Sequence, residues 1–128
     1  ARTHKTRNNE NDRLGVPRTL LAMRPWHRFA VIELGVGGPG DMRHLARLAR
    51  PDIAIVLAVA RTHTRSFRTL EDTAAEKATL LQYLRRGGTA ILNADDERVR
   101  GMAAWAIGNI GGREALNALK GLVFLYLR

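Results

Sequence analysis

The polar residues of this chain that could do chemistry follow two apolar segments of strand length. Glu33 lies at the end of the run Phe29–Leu34, and His63 comes shortly after the run Ile53–Val59. One short amphipathic segment separates the two runs, so the spacing predicts a βαβ unit with parallel strands. Ligands of such sheets bind beyond the carboxyl ends of the strands. We therefore expect Glu33 and His63 to face a ligand groove.

The chemistry of these residues is compatible with a magnesium site without requiring one, and ordinary structural roles stay open. Magnesium prefers oxygen ligands, so a carboxylate suits it better than an imidazole does. Lys77 could become an anionic oxygen ligand only by carbamylation, which requires its neutral amine. Alternatively, Glu33 could cap a loop or pair with an arginine, and His63 and Lys77 could simply be solvated. Asn93, which follows a third apolar run, could form only a turn.

The elements that would position these residues are predicted from apolar periodicity and from helix start and stop signals. Residues 1–12 are polar, without an apolar period, and predict a loop. The glycines of the segment LGVGGPGD, at residues 34–41, permit positive φ and close approach of the backbone to a ligand. Asp41 can begin the helix that follows them. We predict helices at Leu14–Met23, Met42–Ala49 and Thr69–Arg86, and a third strand at Thr89–Leu92.

Composition limits the classes of protein to consider. The 128 residues predict one domain, and the absence of cysteine excludes disulfides and thiolate metal sites. The formal charge of +9 comes mostly from arginines spread along the chain without interleaved aromatic residues, a pattern that disfavours nucleic acid as a partner. A positive field around a nucleotide or phosphate-bearing substrate, or merely an arginine-rich proteome, explains the charge equally well. Neither a signal peptide nor a membrane-spanning run is evident, so we expect a cytoplasmic protein.

The character of the sequence changes at Glu97. The segment predicts a helical hairpin, Glu97–Ile107 and Arg113–Leu125, joined by a GNIGG turn. Its apolar end, Val123–Leu127, requires a partner surface, which predicts a protein partner or self-association.

Four strings in order resemble the central, ATP-binding domain of the Mur ligase family. They are KTRNNENDRLGVPRTLL, VIELGVGGPGDMRHLARLARPDIAIV, RTHTRSFRTLEDTAAEKATLL and GGTAILNADDERV. The resemblance is strongest to the branch that adds D-alanyl-D-alanine to UDP-N-acetylmuramoyl-tripeptide. It implies an α/β fold with a short parallel sheet of about three strands and flanking helices. The activity implied is ATP-dependent amide-bond synthesis through an acyl phosphate.

The resemblance also implies roles for individual residues, with ATP and Mg²⁺ as cofactors and a UDP-N-acetylmuramoyl-peptide and an amino acid or dipeptide as substrates. Glu33 and His63 would be magnesium ligands, and His63 and Lys77 would be the catalytic residues. Lys77 corresponds to the lysine that several members carbamylate to help hold a second magnesium. Asn93 would face the adenine, with Asp95 or Asp96 nearby. The residues that would approach the phosphates and the UDP-sugar are Asn9 and Asn11.

Two departures from the family pattern modify this interpretation. The phosphate-binding loop G-x-x-x-x-G-K-S/T is not in this sequence, so the chain alone should bind ATP poorly. The tail Val99–Leu119 is similar to a HEAT-like repeat of the phycobilisome-lyase type, and a simple amphipathic helical hairpin of no special family is the alternative. We therefore predict a ligase-like segment at residues 1–96 and a helical hairpin at residues 97–128. The alternative function is a non-catalytic protein-interaction module, in which the hairpin acts on a degenerate ligase scaffold.

Overall fold

The computed structural model describes residues 2–60 and 66–102, together with the backbone of residues 122–125. Strands and helices alternate along these ranges, and every strand pairing is parallel. A helix also begins at residue 97 and continues to residue 102, where the second range ends. The other elements are β1 (Thr3–Lys5), α1 (Gly15–Leu21), β2 (Phe29–Val31), α2 (Asp41–Ala49), β3 (Ile53–Val56), α3 (Leu70–Ala78), a 3-10 helix (Thr79–Tyr83), β4 (Thr89–Asn93) and β5 (Leu122–Leu125).

One hydrophobic core packs α2, α3 and the 3-10 helix against one face of the sheet that contains β3 and β4. Alternate strand residues point into it because successive side chains of a strand face opposite sides. Ile53 and Ile55 of β3, on the other face, are more than half exposed. The buried residues of this core include Met42 and Ala46 of α2, Ala54 and Val56 of β3, Ala78, Leu80 and Leu81 of the helical layer, and Ala90 and Leu92 of β4.

The α/β fold with short parallel strands and flanking helices confirms the fold class, but the strands group differently from the βαβ prediction. β2 pairs with β1 in a two-stranded sheet, whereas β3, β4 and β5 form a second sheet in that order. The prediction that the strands at Phe29 and Ile53 share one sheet was therefore wrong within the described ranges. The loop predicted for residues 1–12 was wrong at Thr3–Lys5, which forms a strand. Its pairing with β2 uses backbone groups, which leave no apolar period in the sequence.

The helix predicted at Thr69–Arg86 begins as expected but changes form before its predicted end. Thr69 accepts a hydrogen bond from the backbone N–H of Asp72 at 3.0 Å, and the Asp72 carboxylate accepts one from the N–H of Thr69 at 3.0 Å. This reciprocal capping box fixes the start of α3. From Thr79 the chain tightens into the 3-10 helix, which ends at Tyr83. That tighter turn buries the consecutive residues Leu80 and Leu81.

At the carboxyl-terminal end, residues 122–125 form β5 beside β4, and the prediction of a helix through Leu125 was wrong there. A short apolar run suits a buried helix and a buried strand equally, and pairing with the edge of β4 satisfies its backbone donors and acceptors. The rest of the predicted hairpin beyond residue 102, including the GNIGG turn, lies outside the described residues. The HEAT-like division at residue 97 therefore stays a prediction. Within the described ranges, no helix is long and apolar enough to cross a bilayer.

Candidate functional site

Glu33 follows the carboxyl end of β2, and its carboxylate is held by Asn11. The Asn11 side-chain amide donates to Oε1 of Glu33 at 2.7 Å, across 22 residues of sequence. Glu33 is exposed, and Asn11 is half-buried beside it. The pairing brings together two of the residues that the sequence predicted for the site. It gives Asn11 a protein partner, which the sequence did not indicate.

The backbone around Glu33 is fixed from both sides by the segment that follows β1. The Thr6 hydroxyl oxygen accepts a hydrogen bond from the Glu33 N–H at 2.8 Å. The Gly35 N–H donates to the carbonyl oxygen of Asn11 at 2.7 Å. A Cβ on Gly35 would lie 2.6 Å from the Asn11 side-chain oxygen, so a larger residue at this position would displace the Asn11 side chain. The carboxylate therefore projects from a backbone segment that is anchored at residues 33 and 35.

Lys77 lies on α3 with its ammonium at the end of β3. Its Nζ donates to the carbonyl oxygen of Ala58 at 2.8 Å. Burial lowers the pKa of Lys77 below its usual value, while the negative charge of Asp96 acts in the opposite direction. The neutral amine is therefore more accessible here than in a solvated lysine. Carbamylation requires that neutral amine.

Asp96 links the end of β3 to the helix that begins at residue 97. Its carboxylate accepts hydrogen bonds from Val59 N–H at 3.0 Å, from Arg98 N–H at 3.0 Å and from Val99 N–H at 3.1 Å. Burial alone would raise the pKa of Asp96, but these three N–H groups and the charge of Arg98 outweigh it and lower the pKa. Asp96 is thus an ionised helix cap.

Asn93, the last residue of β4, crosses to the end of the neighbouring strand. Its side-chain amide donates to the carbonyl oxygen of Leu57 at 2.8 Å, and its side-chain oxygen accepts from the Asp95 N–H at 2.9 Å. The turn-forming role is therefore present, and it joins the carboxyl ends of β3 and β4. Asp95 is exposed in the turn after β4.

The glycine-rich segment before α2 binds carboxylates of its own chain. Asp41 accepts from the N–H groups of Gly37 at 3.0 Å and Gly38 at 2.8 Å. Glu76, which reaches across from α3, accepts from the N–H groups of Gly40 at 3.0 Å and Met42 at 2.8 Å. These donors resemble those that hold phosphate at helix starts. Here, two carboxylates occupy them.

A pocket of about 450 Å³ lies between this glycine-rich segment and the loop that precedes α1. Arg13 crosses it, with Nε 2.6 Å from Oδ1 of Asp41. Burial raises the pKa of Asp41, but the hydrogen bond from Arg13 and those from the two glycines have the larger combined effect and lower it. The lining residues are Asn11, Asp12, Arg13, Leu14, Gly35, Val36, Gly37 and Asp41.

The donor set fits a magnesium ion that keeps most of its waters. No group of three or more His, Cys, Asp or Glu side chains within the described ranges could hold a metal ion by itself. Magnesium commonly uses one or two carboxylates together with phosphate oxygens and water, and the exposed Glu33 carboxylate meets that requirement. Asn9 is exposed, and its carbonyl oxygen accepts from the N–H of Asn11 at 2.8 Å. His63 lies outside the described residues.

Sequence reasoning missed several residues that shape this edge of the sheets. Thr6 precedes the recognised asparagines, and nothing in its spacing indicates a bond to Glu33. Glu76 looks like an ordinary helical acid, because its partners lie 34 and 36 residues away in sequence. Asp96 was expected near the adenine, but its role as a helix cap was not predicted, although an acid just before a helix is a signal for a cap.

Comparison with known proteins matches this chain to one family and to ligases that share one name. Residues 1–111 match the family described as the Mur ligase middle domain. The chain is 39% identical over 93 residues to the UDP-N-acetylmuramoyl-tripeptide–D-alanyl-D-alanine ligase of Synechocystis sp., an alignment that covers 73% of this chain and 20% of the relative. It is 38% identical over 91 residues to the Escherichia coli ligase of the same name, covering 71% of this chain and 20% of that protein. The chain therefore spans about a fifth of the length of these relatives.

Solved structures agree on the fold. A crystal structure of MurF from Acinetobacter baumannii matches 97% of this chain and 24% of its own chain, with a TM-score of 0.77 and 27% sequence identity. MurF from Thermotoga maritima in complex with ADP matches 97% of this chain and 26% of its own, with a TM-score of 0.73 and 24% identity. At that lower identity the second match supports the fold alone.

Proposed function

The chain belongs to the Mur ligase family, whose middle domain it matches, and on this premise we propose that it is part of an ATP-dependent ligase of peptidoglycan precursor synthesis. The reaction joins the carboxylate of a UDP-N-acetylmuramoyl-tripeptide to the amine of D-alanyl-D-alanine, the substrates in the relatives' name. The substrate carboxylate attacks the γ-phosphorus of ATP and releases ADP. The amine then attacks the acyl phosphate and releases phosphate. Because ATP and UDP-linked precursors are cytoplasmic compounds, we propose that location.

The observation that carries this proposal is the fixed carboxylate at the end of β2. Glu33 is exposed, and its Oε1 receives the amide of Asn11 at 2.7 Å. An oriented carboxylate needs little reorganisation to accept a cation, which lowers the cost of binding. We propose Glu33 as the magnesium ligand of this chain, with His63 as the second ligand implied by the family pattern. Bound magnesium would supply positive charge beside the phosphates of ATP.

Lys77 is the proposed second catalytic residue, as the carbamylated lysine of the family pattern. Its lowered pKa supports this role, because carbon dioxide reacts with the neutral amine. The bond from Nζ to Ala58 holds the amine at the carboxyl end of β3. Asp96, whose charge acts on Lys77, would repel an anionic carbamate. A cation at this edge would offset that repulsion.

We propose that Asn93 and Asp95 form the adenine-binding turn and that Asn9 and Asn11 border the phosphate and sugar region. The Asn93 amide and carbonyl already have partners in Leu57 and Asp95. Each group retains one further hydrogen or lone pair with which it could bind an adenine edge. Asn11 has one amide hydrogen left beyond the one it gives to Glu33. The proposed contacts therefore add to the observed bonds and do not replace them.

Calorimetric titration of the chain with ATP, with and without magnesium, tests the function. We expect weak binding that requires magnesium and that Glu33→Gln weakens about 10-fold or more, since a charge-assisted contact contributes about 1.5–3 kcal/mol. Asp52→Asn is the matched control. Asp52 is also an exposed carboxylate, but it precedes the amino end of β3, whereas Glu33 follows the carboxyl end of β2. Equal affinities for Glu33→Gln and the unaltered chain would contradict the role of Glu33. No magnesium-dependent binding at millimolar ATP would contradict nucleotide binding by this chain.

A further inference from the structure

Several large apolar side chains are exposed in the short segment that runs from the end of α1 to the start of β2. Trp26 is 65% exposed and Phe29 is 66% exposed. Leu21, at the end of α1, is 83% exposed, and Met23 is 38% exposed. Single exposed apolar residues are ordinary, whereas several within nine positions mark a binding surface. We call residues 23–29 the Trp26 turn.

The Trp26 turn has a defined conformation that presents the indole outward. The His27 N–H donates to the carbonyl oxygen of Arg24 at 2.9 Å, and the Arg24 N–H donates to Nδ1 of His27 at 2.9 Å. The His27 ring stacks on His4 of β1 with centroids 5.0 Å apart, and the Trp26 ring meets His27 edge-on at 5.9 Å. Little conformational entropy is therefore lost when this turn binds a partner.

The surroundings of the turn are positively charged. The sequence contains no aspartate or glutamate from residue 13 to residue 32, and it contains four arginines there. Arg24 and Arg28 belong to the turn itself, and both are exposed. Arg2 lies beside them, because its carbonyl oxygen accepts the N–H groups of Arg28 at 2.7 Å and Phe29 at 3.3 Å. Three exposed arginines therefore accompany the exposed aromatic side chains.

The turn is also well separated from the candidate site along the strand. It ends at Phe29, the first residue of β2, whereas Glu33 follows the carboxyl end of the same strand. A partner at the turn would thus leave the carboxyl edge open. The turn is therefore available for a role apart from nucleotide binding.

We propose that the Trp26 turn is a peripheral docking surface for membranes that contain anionic phospholipids. Trp26 and Phe29 provide the apolar contacts that settle at the boundary between headgroups and acyl chains. Arg2, Arg24 and Arg28 provide the guanidinium groups that pair with lipid phosphates. Nucleic acid fits this surface less well, because the Trp26 ring already contacts the His27 ring edge-on. The turn also contains no row of aromatic residues on which successive bases could stack.

The test is flotation of the full chain with vesicles made of equal parts phosphatidylglycerol and phosphatidylcholine. We expect binding to these vesicles and none to phosphatidylcholine alone. Arg24→Ala/Arg28→Ala should weaken binding about 30-fold, since each basic residue at an anionic surface contributes a factor of about five. Trp26→Ala should weaken it several-fold at unchanged net charge. The charge-matched control, Arg43→Ala/Arg68→Ala, removes two exposed arginines elsewhere and should leave at least a tenfold higher affinity than the turn variant.

Several results would overturn the proposal. The first is absence of binding to the anionic vesicles, and the second is equal losses in the turn variant and in the charge-matched control. Preference for a single-stranded oligonucleotide, measured as its ability to displace the vesicles at equal phosphate concentration, would assign the surface to nucleic acid. A dimer in gel filtration that Trp26→Ala dissociates would assign it to a second copy of the chain. Circular dichroism of each variant checks its fold, and none of these measurements uses ATP or magnesium.

Discussion

Replacement of Glu76 should destabilise the chain at the start of α2, although Glu76 belongs to α3. Its two carboxylate oxygens accept the N–H groups of Gly40 at 3.0 Å and Met42 at 2.8 Å. A side-chain cap contributes about 0.5–2 kcal/mol to stability, and a negative charge at a helix start adds about 0.3–1 kcal/mol. Water can replace the carboxylate at exposed Gly40, whereas Met42 is only 3% exposed. We therefore expect Glu76→Ala to lower the free energy of unfolding by about 2 kcal/mol, mostly through Met42.

Urea unfolding followed by circular dichroism measures this loss. Glu76→Gln keeps one acceptor oxygen but places an amide against an N–H group, so we expect about half the effect of Glu76→Ala. Glu71→Gln is the matched control on the same helix, because Glu71 is 72% exposed and pairs with Arg98 at 3.2 Å across open surface. Such pairs contribute about 0–1 kcal/mol. A loss for Glu76→Ala no larger than that of the control, or unchanged hydrogen exchange at the Met42 N–H, would refute the reasoning.

Three further predictions concern acid stability, glycine positions and the lysine. Folding lowers the pKa of Asp96. The ionised carboxylate therefore contributes its full stability above the unfolded-state pKa near 3.8, and this contribution is lost as the pH falls through the folded-state pKa. Asp96→Asn should flatten the decline of the melting temperature between about pH 6 and about pH 2. Gly15→Ala should cost about 3 kcal/mol or more in urea unfolding, because its Cβ would lie 2.6 Å from backbone Cα of Glu10, whereas Gly35→Ala, whose Cβ meets only a movable side chain, should cost about 1 kcal/mol. In ¹³C-bicarbonate, nuclear magnetic resonance should detect a carbamate signal that Lys77→Met removes; an identical signal in that variant would contradict carbamylation of Lys77.

The sequence predicted the local structure correctly where that structure depends on residues within the same segment. Thr69 and Asp72 stand at the spacing of a capping box, and α3 begins there. Pro17 lies in the first turn of α1, where its missing N–H costs nothing. Glu33 was placed correctly at a strand end because an apolar run precedes it. These predictions depend on neighbours within about four residues, and no distant contact overrides them.

Distant partners explain what the sequence could not reveal. β1 was missed because its polar residues pair with β2 through backbone groups, 26 residues away in register. β5 was taken for the end of a helix because an apolar run is ambiguous until an unpaired strand edge is available to it. The partner of Asn11 was equally hidden, since the residue types and spacing indicated a ligand contact and the structure shows a bond to Glu33.

The carboxylates at the carboxyl edge of the sheets determine how a triphosphate could bind there. Asp41 and Glu76 occupy the donors of the glycine-rich segment and of the start of α2, and Asp96 occupies those of the helix at residue 97. An incoming phosphate would meet these negative charges at the positions where helix starts ordinarily attract anions. Its binding energy must therefore come from a cation held by Glu33 or from donors on other segments. This arrangement predicts that nucleotide binding at this edge depends on magnesium, which the calorimetric comparison with and without magnesium examines directly.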